Sequence, residues 1–293
     1  FESAPYGCAS LYDGSEEYGA GYLGYNDACI GDEASQEMAS AVQTAFDQGK
    51  IDDPENLQGM PIFVASGGKD TIVNASVNTA AAIMYSEYLG AIVNLTEIAD
   101  AQHSLFIDQA TKDECLYCSD SCSHLGEPYI NNCNFSDAKH ALLHIYREDL
   151  SPPIPWLEDN IITINQSAFF PRINTTANAT AEAEALQMSE TAFAYVPSSC
   201  KGDARSCRVH VQYHGCGCSQ MELLTGMTFV KHTGFNGWAE ANAIMVLYPQ
   251  SWGISCWNWD GEQAYDPGYD TNQSLQLTVV NRMIEALAYG VIV

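Results

Sequence analysis

Apolar positions recur along the chain with two distinct spacings. In ASQEMASAVQTAFD (34–47), Met38, Val42 and Phe46 fall four residues apart, which marks one face of an α-helix. PIFVAS (61–66) and AIVNLTEI (91–98) are instead short apolar runs of strand length, and the stretch between them, 76–89, has helical spacing. Residues 104–133 are rich in cysteine and show no sustained period, so a loop is expected there. SDAKHALLHIYRE (136–148) returns to helical spacing, with Ser136 placed to cap it, because its hydroxyl can accept a backbone N–H of the first turn. SPPIPW (151–156) stops that helix, and an irregular linker is expected to run to about 185. Beyond it TAFAYVP (191–197), RVHVQYHG (208–215) and AIMVLYPQ (243–250) predict strands, with helices near 234–242 and over 272–289. Strands alternating with helices in this way predict an α/β fold, a mostly parallel sheet flanked by helices. A chain of 293 residues can form it as one large domain or two small ones.

Charge narrows the partners. Eleven basic residues against 37 acidic ones give a formal net charge of −26. Such an excess repels polyphosphates and counts against nucleic acid and anionic membrane surfaces as partners. No apolar run approaches the ~20 residues a membrane span needs. Neutral or cationic partners remain open.

Cysteines and sequons indicate the compartment. Eleven cysteines in a chain of this size suggest oxidising surroundings. N-x-S/T occurs seven times, at Asn74, Asn94, Asn134, Asn165, Asn174, Asn178 and Asn272. Together with the acidity, these features predict a secreted, extracellular eukaryotic glycoprotein carrying N-glycans. FESAPYGC has neither the basic start nor the apolar core of a signal peptide, so the encoded protein is expected to begin upstream of it.

The candidate chemistry lies at the ends of predicted strands. Asp70 follows the strand at 61–66, in SGGKDTIVN, and His103 follows the strand at 91–98, in DAQHSLF. Acid then histidine is the second half of the order nucleophile, acid, histidine found in α/β hydrolases. Taken singly, Asp70 is equally well a helix-capping turn residue and His103 an ordinary loop histidine; their joint order favours catalysis. A strand running into VQYHGCGCSQ (211–220) has the form of a lipase-type oxyanion loop, in which backbone N–H groups face a developing negative charge. A tight turn tied down by disulfides has the same sequence, and both readings can hold at once. No G-x-S-x-G nucleophile motif occurs in the chain. The other histidines, His124, His140, His144, His210, His214 and His232, show no zinc-binding spacing, so neither metal nor cofactor is expected.

Several segments together carry a family resemblance. HVQYHGCGCSQ, HTGFNGWAEANAIMVLYPQ (232–250) and SCWNWDG (255–261) resemble the C-terminal half of extracellular polyhydroxybutyrate (PHB) depolymerases. PYGC (5–8), GGKDTIVN and PYINNCNFSDAKHALLHIY (128–146) resemble the first half of the fungal single-domain type. The likeness runs in order along nearly the whole chain, apart from the linker. It implies a circularly permuted α/β-hydrolase fold in one domain over 1–293. Residues 1–149 would carry the acid and histidine, 150–185 a glycosylated insertion, and 186–293 the oxyanion turn and a substrate tryptophan.

By the same resemblance Asp70 is the triad acid, His103 the triad base, the Cys216 N–H an oxyanion donor, and Trp257 the residue beside the scissile ester. Trp252 and Trp259 are further candidates for apolar contact, with packing as the plainer role for at least one of the three. The family's serine falls about twenty residues before the position matching Phe1, so the nucleophile is expected upstream of residue 1. It would lie in an adjoining segment or in a retained cleaved peptide, unless that region has lost its serine. The implied disulfides are Cys8–Cys29, Cys122–Cys133, Cys200–Cys207 and Cys216–Cys256. Cys115 and Cys118 are left for a short bridge, and Cys218 as an odd thiol suited to self-assembly.

Two functions are thereby open. One is a serine esterase acting on short-chain hydroxyalkanoate polyesters or related esters, neutral substrates that suit an acidic enzyme. The other is a catalytically inactive glycosylated component of an extracellular assembly. The missing serine, the sequon four residues past Asp70 and the odd cysteine favour the second. Asp70, His103 and the HGC turn favour the first.

Overall fold

The spacing of Met38, Val42 and Phe46 is realised as helix α1 (Gly31–Asp47), which buries Met38, Val42 and Ala45 on one side. Asp32 and Glu33 lie in its first turn, where the helix dipole favours negative charge. The computed structural model describes residues 29–108, 120–147, 150–172, 178–217, 227–253, 256–258 and 266–292. The chain divides between residues 149 and 150 into two compact units.

In the first unit β1 (Pro61–Gly67) and β2 (Ile92–Ile98) pair in parallel from Pro61↔Ile92 to Gly67↔Ile98. Helix α2 (Ala75–Ile83) connects them and continues as a π turn over Met84–Tyr88. Met38 and Val42 of α1 pack with Val73, Val77, Ala80 and Met84 in one apolar cluster. The expected cysteine-rich loop contains two strands, β3 (Leu105–Ile107) and β4 (Ile130–Asn132), paired in parallel. Three residues are too few to show a period in sequence, yet all three of β3 are buried. Helix α3 (Asp137–Tyr146) follows, and the Ser136 hydroxyl accepts the Lys139 N–H at 3.2 Å, as its capping position predicts.

The expected linker of the second unit is also structured in part. β5 (Ile161–Asn165) pairs antiparallel with β6 (Thr191–Tyr195), and α4 (Ala179–Leu186) starts where Asn178 accepts the Ala181 N–H at 2.9 Å. The sequons and prolines around these segments read as loop. However, apart from Thr180, ATAEAEAL consists of good helix formers, and Ile164 reaches the core. β7 (Arg208–Val211) pairs in parallel with β8 (Ile244–Tyr248), which is antiparallel to β6, so the sheet order is β5-β6-β8-β7. The described strands thus form two parallel pairs and one mixed four-stranded sheet, rather than one mostly parallel sheet.

Helices α5 (Thr228–His232), α6 (Phe235–Asn242) and α7 (Leu275–Ala288) complete this unit. Val279, Val280, Met283 and Leu287 of α7 join Met245, Leu247, Ala194 and Leu186 in its core. β8 is buried along its whole length, which is why IMVLY is a continuous apolar run rather than an alternating one. No helix among the described residues is long and apolar enough to cross a membrane.

Candidate active site

Two turns at the strand ends of the first unit pack backbone against backbone. A Cβ on Gly67 would lie 2.6 Å from the Ala101 carbonyl oxygen, and one on Gly68 would lie 2.8 Å from that of Ala99. Gly68 N–H donates to Ile98 O at 2.9 Å and Lys69 N–H to Ala101 O at 2.9 Å. The two glycines of SGGKD therefore allow the turn after β1 to lie against the turn after β2. We expect Gly67→Ala to destabilise the protein by ~1–3 kcal/mol, because backbone atoms must shift to admit the methyl group. A thermal melt unchanged from wild type would contradict this close approach.

That packing sets Asp70 beside His103. Asp70 Oδ2 lies 2.8 Å from His103 Nδ1, and the side chains are 7% and 16% exposed, respectively. The other carboxylate oxygen, Oδ1, accepts the Ile72 and Val73 N–H groups, each at 2.8 Å. The two oxygens divide the work, since Oδ1 fixes the carboxylate to the turn and Oδ2 orients the imidazole. The turn-capping role and the pairing with histidine, alternatives in the sequence, occur together in one residue. A carboxylate on Nδ1 orients the imidazole and favours its charged form.

The loop carrying His103 is held on several sides. Gln102 N–H donates to Cys122 O at 2.9 Å, and the Cys122–Cys133 disulfide and the Asn131 side chain hold that loop in turn. Tyr129 sets its ring edge-on to the His103 ring, with centroids 6.2 Å apart, and its carbonyl accepts the Leu105 N–H at 2.8 Å.

In the second unit His214 organises the HGC turn. Its Nδ1 lies 2.7 Å from Gly215 O, and its Nε2 accepts the Ser251 N–H at 3.1 Å. Only the neutral Nδ1–H tautomer satisfies both bonds. Burial pushes this imidazole down to about 4, partly countered by the Gly215 carbonyl. Trp257 Nε1–H donates to His214 O at 2.8 Å, and the Trp257 ring lies against those of Tyr213 and His214. The Cys216–Cys256 disulfide ties the turn to the tryptophan segment. His214 and Tyr213 are the residues that sequence reasoning passed over. Their only signal is their place between a strand and a Gly-Cys turn.

Cys122–Cys133, Cys200–Cys207 and Cys216–Cys256 are bonded in the pairs that the resemblance implies. Cys29 is disulfide-bonded as well. Cys8, Cys115, Cys118, Cys218, Asn174 and Trp259 lie outside the described residues. Trp252 and Trp257 both pack against the apolar core of this unit. Asn74, Asn94, Asn134, Asn165, Asn178 and Asn272 are all exposed, as an acceptor for glycan must be.

No protein-family profile matches the chain. Two solved structures share its architecture. A Ser→Ala variant of a PHB depolymerase complexed with R3HB trimer superposes with a TM-score of 0.74 at 24% identity, over 98% of this chain and 85% of that one. The PHB depolymerase from Penicillium funiculosum gives the same TM-score and identity over 98% of this chain and 86% of its own. The architecture is therefore that of an α/β hydrolase-like protein. Among curated proteins, the poly(3-hydroxybutyrate) depolymerase of Delftia acidovorans is 31% identical over 86% of this chain and 47% of its own length. The polyhydroxybutyrate depolymerase of Talaromyces funiculosus is 26% identical over 99% of this chain and 81% of its own. The chain is thus similar in sequence to two PHB depolymerases and in architecture to two solved ones. It spans about half the length of the bacterial relative and about four fifths of the fungal one.

Proposed function

We propose that the protein is a secreted serine esterase that hydrolyses short-chain hydroxyalkanoate polyesters or related esters. The observation that carries this reading is the Asp70–His103 pair, with one carboxylate oxygen held by two backbone N–H groups and the other on Nδ1. A carboxylate fixed in this way holds the imidazole in one tautomer and stabilises the imidazolium formed when His103 takes a proton.

The serine is assigned to sequence upstream of residue 1, either in the adjoining segment or in a retained peptide. Its Oγ attacks the ester carbonyl while His103 Nε2 takes its proton. The resulting oxyanion is met by backbone N–H groups, among them that of Cys216. On collapse His103 returns the proton to the leaving alkoxide, and water then releases the acyl group by the same route. Trp257 is the proposed apolar contact beside the ester. Its indole N–H already bonds to His214 O, which keeps the ring from rotating.

The finer architecture belongs to the same proposal: one circularly permuted α/β-hydrolase domain. So do N-glycans on the exposed sequons and a self-assembly link through Cys218. The alternative of an inactive structural component finds no support in the fold or in the relatives.

The test is to express the protein with its upstream sequence in a eukaryotic secretion host. Hydrolysis of p-nitrophenyl butyrate and clearing of a poly(3-hydroxybutyrate) suspension are expected, with a mass loss on endoglycosidase treatment. A folded, secreted protein that turns over neither ester would overturn the reading.

A further inference from the structure

Asp137, a residue outside the Asp70–His103 pair, opens α3. The residue is partly exposed, but its carboxyl is closed off from solvent. Oδ2 accepts the Phe106 N–H at 2.7 Å, whereas Oδ1 is buried and makes no hydrogen bond among the described residues. A buried carboxyl oxygen without a partner is costly, so its retention calls for a reason.

The reason lies in the strand it touches. β3 begins two residues after His103 and pairs with β4 through Leu105 and Ile107: Leu105 N–H donates to Tyr129 O, and Ile107 O accepts the Cys133 N–H. In a parallel pair alternate residues face the partner strand, so the Phe106 N–H points to the opposite edge. Asp137 Oδ2 is the acceptor on that edge. β4 thus holds one side of β3 and the start of α3 holds the other, and only His103 and Ser104 separate this clamp from Gln102.

We infer that Asp137 is a positioning residue for His103: its carboxyl clamps the outer edge of β3 and so fixes the loop that presents the imidazole to Asp70. The inference rests on the esterase reading for its functional meaning and on the Phe106 N–H···Oδ2 bond for its geometry. An acceptor is what the role needs. Asparagine keeps one, and alanine does not.

The experiment compares the full chain, with its upstream sequence, as wild type, Asp137→Asn and Asp137→Ala. Two readouts are taken: carbethoxylation of His103 by diethyl pyrocarbonate, followed by peptide mass spectrometry, and kinetics on p-nitrophenyl butyrate. In Asp137→Ala, His103 should be modified at least threefold faster, and kcat should fall about ten- to a hundredfold with KM within twofold. Asp137→Asn should restore both to within about threefold of wild type. Amide hydrogen exchange of the wild type supplies a measurement independent of any variant, and Phe106 should be protected although it lies on the outer edge of β3.

Rapid exchange at Phe106, His103 reactivity equal in all three proteins, or an Asn variant as impaired as the Ala variant would each overturn the inference. If no protein, wild type included, hydrolyses the ester while the His103 reactivities follow the expected order, the clamp stands and the esterase reading fails.

Discussion

His103→Ala is expected to lower ester turnover by at least ~10³-fold, and Asp70→Asn by ~10²–10⁴-fold, with little change in KM for either. The motive is the division of labour at Asp70. Asparagine can still accept the Ile72 and Val73 N–H groups through one oxygen, so the turn after β1 should persist. The atom facing Nδ1 would then be an amide nitrogen, which cannot accept a proton from the ring and favours the wrong tautomer. Loss of rate without loss of thermal stability is thus the signature of a catalytic acid. Asp70→Asn with full activity, or inactive only because it has unfolded, would remove Asp70 from the mechanism. Steady-state kinetics beside a melting curve separates these outcomes.

The second large effect concerns His214 and the acid stability of residues 150–293. Its folded value is near 4, below the ordinary 6.5, so between those pH values the unfolded chain binds a proton that the folded chain refuses. Its contribution is therefore complete above about pH 6.5 and is lost as pH falls toward 4, a loss of ~3 kcal/mol. Burial lowers His210 too, which acts in the same direction. Asp137 acts oppositely in the first unit. Burial pushes it up to about 7 from 3.8, partly countered by the Phe106 N–H, so it favours the folded state at acid pH and loses that contribution as pH rises toward 7.

A single melting curve of the whole protein would mix these opposed trends. All five tryptophans lie in 150–293, so tryptophan fluorescence follows that unit alone. His214→Leu leaves Ser251 N–H and Gly215 O without their partner and should cost ~2–4 kcal/mol at pH 7. Between pH 7 and pH 4, the gap between wild type and this variant should narrow by ~3 kcal/mol, since only the wild type carries the titrating group. A gap independent of pH would show that His214 is not held neutral.

Much of the fold could be read from spacing wherever elements are long. The strands at 61–67 and 92–98, the helix behind Ser136 and the buried run IMVLY follow from apolar periods that tertiary packing does not override. Elements below that length were invisible. β3 and β4 have three residues each, and their pairing depends on Tyr129 and Cys133, which meet Leu105 and Ile107 only after the chain has turned. β5 and α4 were hidden by sequons and prolines, which mark an exposed surface but do not forbid a strand or a helix beneath it. At the site, Asp70 and His103 were legible because their order and strand-end positions are local features. The approach at Gly67 and Gly68, the neutral tautomer of His214 and the clamp at Asp137 depend on atoms brought together from distant segments, and no spacing encodes them.

If the Asp70–His103 pair serves a serine nucleophile upstream of residue 1, that serine should react with an active-site phosphorylating agent. The most direct test is to treat the full-length secreted protein with diisopropyl fluorophosphate and locate the adduct by peptide mass spectrometry. One phosphorylated serine is expected, within a G-x-S-x-G sequence about twenty residues before Phe1, and no adduct in His103→Ala. An adduct elsewhere, labelling that does not depend on His103, or an upstream segment with Gly or Ala in place of the serine would contradict the assignment.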